Sequence, residues 1–117
     1  QRLVRRICEH CKEETALSAE IREDLGFPID TNQPYFSGRG CDKCRDTGYS
    51  GRTGIFEIIE MGEEVREAIK KESSHLSPGA VIIKRAFRNQ GIETVRRAGM
   101  KKAALGITSV AEVVRVT

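Results

Sequence analysis

The 117-residue sequence has no tryptophan, and aromatic residues make up only 5% of it. A core built with so few large rings is modest, and a modest core often needs a staple. No apolar run approaches the roughly 20 residues that cross a bilayer. The amino end, Gln1 to Arg6, has no apolar h-region, so nothing there resembles a signal peptide. No glycine is followed by lysine. A GxxxxGK[ST] loop, whose amides and lysine hold phosphates, is therefore absent. Charge of one sign is also lacking. The 20 basic and 17 acidic residues leave a net +3, too mild to argue nucleic-acid binding by itself. There is no internal repeat and no low-complexity segment. Beginning on Gln rather than Met, the sequence is expected to be the tail of something longer.

Cysteine is scarce but patterned. The four form two pairs, Cys8-Glu9-His10-Cys11 and Cys41-Asp42-Lys43-Cys44. Two thiolates one tight turn apart can point at one ion, and two such pairs complete a tetrahedral zinc site. A single CxxC would be weak, since redox turns share it. Two disulfides in a secreted chain are the alternative. Thiolates suit iron as well, although a redox-silent structural site favours zinc. Four thiolates fill every position, so the site reads as structural rather than catalytic. The glycines of Gly48-Tyr49-Ser50-Gly51-Arg52-Thr53-Gly54 allow turns that bring backbone amides to the sulfurs. His10 could replace a cysteine as ligand, but with four cysteines present it is read as pointing to solvent or donating to a neighbouring backbone oxygen, and His75 reads as solvated. Neither has the neighbours that catalysis requires.

The rest of the sequence predicts an α+β fold, mostly helical. A tetracysteine subdomain with short strands (1–60) precedes a helical subdomain (61–117). Leu3 to Ile7 and Pro34 to Phe36 read as extended. Ser18 caps a helix reaching Leu25, and Gly26 closes it. Arg52 to Ile59 reads as a strand covered on both faces. Met61, Val65 and Ile69 recur at helical spacing. Further helices are expected from Ser77-Pro78 to Gly91, with Ile82, Ile83, Ala86 and Phe87 inward, and from Glu93 to Leu105, with Val95, Gly99 and Ala103 on one stripe. Ser109 and Glu112 fit a capping box, with Thr108 as an alternative cap. Val110, Val113 and Val114 are that last helix's buried face.

Several motifs then agree. Gln1 to Arg5 leads into Cys8-x-x-Cys11. Gly40-Cys41-x-x-Cys44, Thr47-Gly48-Tyr49, Gly51-Arg52-Thr53-Gly54-Ile55 and Glu57 follow. The chain ends in Gly106-Ile107-Thr108-Ser109 and Glu112 to Thr117. This resembles the carboxy-terminal part of the GspE/PilB traffic ATPases of type II secretion and type IV pili. The resemblance implies that Cys8, Cys11, Cys41 and Cys44 are zinc ligands. It also implies a RecA-like ATPase core before them, where ATP and Mg²⁺ bind, and a hexamer on the cytoplasmic face of the bacterial inner membrane. ATP hydrolysis there drives pilin or pseudopilin assembly through a membrane platform protein. Without a phosphate loop, these residues alone are expected to be catalytically inactive and monomeric. Ala98-Gly99 departs from the Asp-Gly of many members.

Two rival readings remain. An independent zinc-ribbon module could touch nucleic acid through Arg39, Lys43, Arg45 and Arg52. A chaperone-type cysteine-rich module normally has more CxxC pairs. Arg52 is either an interface residue or a structural pin for the glycine loop. The basic run Lys84, Arg85, Arg88, Arg96, Arg97, Lys101 and Lys102 is read as a solvated surface ahead of a contact face. It has no interleaved aromatics to stack on bases.

Overall fold

The computed structural model describes residues 1–26, 28–30, 32–72 and 91–117. The helix expected from Ser77, the linker with His75, and Lys84, Arg85 and Arg88 lie outside them. Among the described residues the order is β1 (Arg2–Ile7), β2 (Lys12–Thr15), α1 (Ala19–Leu25), β3 (Tyr35–Gly38), a 3-10 turn (Asp42–Cys44), β4 (Tyr49–Ile55), α2 (Glu63–Glu72), α3 (Val95–Ala104) and α4 (Val110–Val116). This is the expected α+β arrangement of short antiparallel strands, a cysteine cluster and helices. No helix among the described residues is long and apolar enough to cross a membrane.

The strands form two ribbons. In one, β1 pairs antiparallel with β4, from Arg2 opposite Ile55 to Ile7 opposite Tyr49, with an irregularity between Arg5 and Ile7. In the other, β2 pairs with β3, from Lys12 opposite Gly38 to Thr15 opposite Tyr35. A two-stranded ribbon is marginal alone. Each therefore needs something packed on it, and α3 and α4 supply part of that cover.

The helix ends follow local chemistry. Ser18 Oγ accepts from the Ile21 amide, and Gly26 closes α1 at φ 70°. Thr94 caps α3 through the Arg97 amide. After α3, Gly106 takes φ 67°. Its amide bonds the Ala103 carbonyl, and the Ile107 amide bonds that of Lys102. That is a Schellman ending, which favours glycine.

Two compact units result, one of residues 1–56 and 94–117, the other of 57–93. The boundary read near residue 60 and these units do not coincide. The last two helices share a core with the first half of the chain. Leu25, Tyr35, Met100, Ala103, Val110 and Val113 form one cluster, with Leu17, Ile21, Ile29 and Val114 against it. Val4, Ile7 and Ile55 are buried from the β1/β4 ribbon.

The expected strand over Arg52 to Ile59 starts earlier and stops sooner. Beyond Ile55 the ladder has no partner among the described residues. Phe56 is 50% exposed and Ile58 78%, so that stretch is not covered on both faces. In the second unit, α2 turns in Val65 and Ala68, while Met61 and Ile69 are largely exposed.

Gly99 belongs to the predicted stripe, and packing explains it. A Cβ there would lie 2.7 Å from Val113 Cγ1 and 3.2 Å from Ile55 Cδ1. Val113 and Ile55 are fully buried and have little room to yield. Gly99→Ala gains about 1 kcal/mol of helix propensity, but overpacking a filled core costs about 1–3 kcal/mol. A net loss of about 1 kcal/mol is expected in urea unfolding. An increase in stability would show that α3 can move off α4.

Candidate metal centre

The cysteines arrive on two turns. β1 delivers Cys8, and the chain reverses so that the Cys11 amide bonds the Cys8 carbonyl at 3.3 Å. The second turn is the 3-10 segment, where the Cys44 amide bonds the Cys41 carbonyl at 3.2 Å. The turns are tied to their surroundings by Cys8 N–H to Gly48 O (3.0 Å) and Arg39 N–H to Cys11 O (3.1 Å). Gly38 and Gly48 pass so closely that a Cβ on either would run into the other's backbone.

All four Sγ atoms lie within 4.8 Å of one another. Cys8 to Cys41 is 3.8 Å, Cys11 to Cys44 3.8 Å and Cys41 to Cys44 3.7 Å. These separations far exceed the ~2.05 Å of a disulfide, and all four thiols are free. They fit a metal instead. A tetrahedron with metal–sulfur bonds of about 2.3 Å has edges of about 3.8 Å. His10 is exposed and outside this group.

The glycine-rich loop acts on the sulfurs as its sequence suggests. At φ 76°, Gly48 directs its amide to Cys44 Sγ at 3.2 Å. The Cys41 amide reaches the same sulfur at 3.2 Å. Burial pushes the Cys44 thiol up, but these amides and the neighbouring thiols outweigh it and bring it down to about 6. Burial, aided by the neighbouring thiols, pushes Cys11 up to about 12 against an amide contact from Gly40. Four sulfurs this close cannot all be anionic unless a cation sits among them.

A second polar cluster escaped the sequence reading. Glu112 is 1% exposed. Its carboxylate accepts from the Arg5 amide (3.0 Å), Arg5 Nε (3.0 Å) and Arg5 Nη2 (2.8 Å). It also accepts from Arg115 Nε (2.9 Å) and Nη2 (2.7 Å). The capping box is thus half formed. Ser109 Oγ accepts from the Glu112 amide, while the Glu112 side chain is turned to the arginines. Thr108 is not the cap, since its hydroxyl donates to the Arg5 carbonyl at 2.7 Å. The Arg5 guanidinium lies 4.0 Å from the Tyr49 ring centre, and the Tyr49 hydroxyl is 2.7 Å from Ser109 Oγ. The only hint in the sequence is a carboxylate set among the valines of the last helix, three residues before Arg115.

Arg52 is exposed and pins no loop among the described residues. Part of the basic run is structural. Arg96 Nη1 donates to the Asp24 and Leu25 carbonyls at the end of α1, and Lys102 Nζ donates to Thr53 Oγ1.

The model of the family described as type II/IV secretion system protein matches residues 1–115. The type IV pilus assembly ATPase PilB of Thermus thermophilus is 40% identical over the whole chain, which spans 13% of that protein. The type II secretion system protein E of Aeromonas hydrophila is 38% identical over the whole chain, 22% of its length. PilB of Pseudomonas aeruginosa is 37% identical, with 20% of its length covered. The chain thus spans between about an eighth and a quarter of these curated relatives. With all but the last two residues matched, the chain belongs to the type II/IV secretion traffic ATPase family.

Proposed function

We propose that Cys8, Cys11, Cys41 and Cys44 hold a structural zinc ion, and that the zinc-stapled body serves a hexameric ATPase of type II secretion or type IV pilus assembly. The observation that carries the metal reading is the spacing of the four sulfurs, close to that of a zinc tetrathiolate. The family match supports the context. The relatives named as ATPases are far longer than this chain, and these residues contain no phosphate loop. ATP and Mg²⁺ therefore belong to the remainder of the parent, and the zinc-bearing part contributes shape and contacts. Its place is the cytoplasmic side of the bacterial inner membrane, and its partners are neighbouring subunits and a membrane platform protein.

In this reading the working subdomain is not 1–60 alone. It is 1–56 together with 94–117, because the tail helices complete its core. A nucleic-acid role has weaker support. The exposed Arg39, Lys43 and Arg45 of the second turn alternate with exposed Asp42 and Asp46, and Glu9 is exposed on the first.

The purified protein should carry one zinc per chain by elemental analysis. Cobalt replacement should give the thiolate charge-transfer bands of a tetrahedral site. Substoichiometric metal, or an octahedral cobalt spectrum, would refute the tetrathiolate.

A further inference from the structure

The four sulfurs are not equally defended. Cys8, Cys11 and Cys44 are only 1%, 3% and 6% exposed. Cys41 is the one cysteine of the cluster that solvent partly reaches. The amide donors are also unevenly shared. Cys44 Sγ receives two, from Cys41 and Gly48, and the Gly40 backbone acts to lower the Cys11 thiol. Among the described residues no amide donates to Cys41 Sγ. A metal-bound thiolate keeps nucleophilic character, which hydrogen bonds to the sulfur reduce and burial shields. Cys8 also lacks an amide donor, but it is closed to solvent.

We infer that Cys41 is the modification site of the cluster, the ligand at which two-electron oxidants of the hydrogen peroxide class open it. This rests on the proposed tetrathiolate. In the first step Cys41 Sγ attacks one peroxide oxygen. The S–O bond forms, the O–O bond breaks, and hydroxide leaves and is protonated by buffer acid. In the second, a neighbouring thiolate attacks the sulfenic sulfur, Cys8 at 3.8 Å or Cys44 at 3.7 Å. An S–S bond forms, the S–O bond breaks, and a second hydroxide leaves, also protonated by buffer acid. Two sulfurs are oxidised by two electrons in all, and one peroxide becomes two waters. Two ligands are lost together, so the tetrathiolate is broken and the metal is released.

The test begins with metal-loaded protein, its content fixed by elemental analysis. It is then treated with substoichiometric N-ethylmaleimide, which forms a sulfur–carbon bond and takes a proton on the adjacent carbon. Peptide mass mapping should find Cys41 alkylated at least about fivefold faster than any other cysteine. A smaller preference, or a different first site, overturns the inference while leaving the metal reading intact. Absence of bound metal overturns both. As a second arm, Cys41→His keeps four ligands but removes the reachable thiolate. Peroxide-driven metal release, followed with a chelating dye, should slow at least about fivefold against the unsubstituted protein. The matched Cys8→His should stay near the unsubstituted rate. Release from Cys41→His at the unsubstituted rate overturns the inference. If Cys41→His does not hold metal, the alkylation order decides.

Discussion

Stripping metal from the cysteine cluster with a chelator, or changing Cys44 to Ala, is expected to unfold residues 1–56 and 94–117 together. A structural zinc contributes about 10–16 kcal/mol of apparent folding free energy in small zinc peptides. An ordinary domain is stable by only about 5–15 kcal/mol. The loss is therefore comparable with everything that holds this unit folded. The sequence alone suggests that the damage falls on roughly residues 8–60 and that the carboxy-terminal helices suffer less. The packing argues otherwise. β1, which delivers Cys8, also buries Val4 and Ile7. The Ile7 amide bonds the Ile107 carbonyl, and the Cys8 amide bonds that of Gly48. Leu25 of α1 and Tyr35 of β3, between the two turns in sequence, cluster with Met100, Ala103, Val110 and Val113. With the turns released, α3 and α4 lose the elements against which they bury their apolar faces, and helices of 10 and 7 residues are marginal alone. Amide spectra of the apo protein should thus lose dispersion across 94–117 as well as 1–56. Native-like shifts retained in 94–117 after complete metal removal would show that the tail folds independently.

How much of this was legible depended on whether a signal was local. The cysteine pairs were, because their spacing, two tight turns and the glycine that presents its amide to Cys44 are all short-range. So were Ser18, Gly26 and Ser109, whose roles are set within four residues. The fold class followed from such pieces. The unit boundary did not, because nothing local tells residues 94–117 that their partner is the first half of the chain. The strand over Arg52 to Ile59 failed for a related reason. Alternation and β-branching favour extension, but strand pairing is set by residues far away in the sequence, and among the described residues β1 pairs with β4 as far as Ile55. Gly99 lies on the expected stripe of small residues, and the 2.7 Å that a Cβ would leave to Val113 makes it a packing requirement. Glu112 was the largest miss. Its spacing from Ser109 fits a capping box, and the partner that draws its side chain away is Arg5, at the other end of the sequence.

That partner makes Glu112 the second position at which a large effect is expected. Its side chain is fully buried, whereas Arg5 and Arg115 are 43% and 57% exposed. Burial works to raise its carboxyl. The hydrogen bonds from Arg115 and Arg5 more than offset this and hold it at about 2, against an ordinary 4.5. A gap of that size corresponds to roughly 3 kcal/mol before solvent screening at the arginines is allowed for. Glu112→Gln is therefore expected to cost about 2 kcal/mol at pH 7, and Glu112→Ala more, since the Arg5 amide then loses its acceptor. The sign with pH follows from the depressed value. The contribution is fully present above about pH 5, where the unfolded carboxylate is ionised, and is lost as pH falls through 4.5 toward 2. Thiolate protonation releases metal in the same acid range, so absolute stability would mix two effects. The difference between the unsubstituted protein and Glu112→Gln isolates one of them. That difference, from urea unfolding at matched metal saturation, should shrink between pH 6 and the lowest pH at which metal is retained. A difference that stays constant over that range would mean the Glu112 charge does not stabilise the fold. In that case the network holds the last helix to the first strand through the shape of its hydrogen bonds alone.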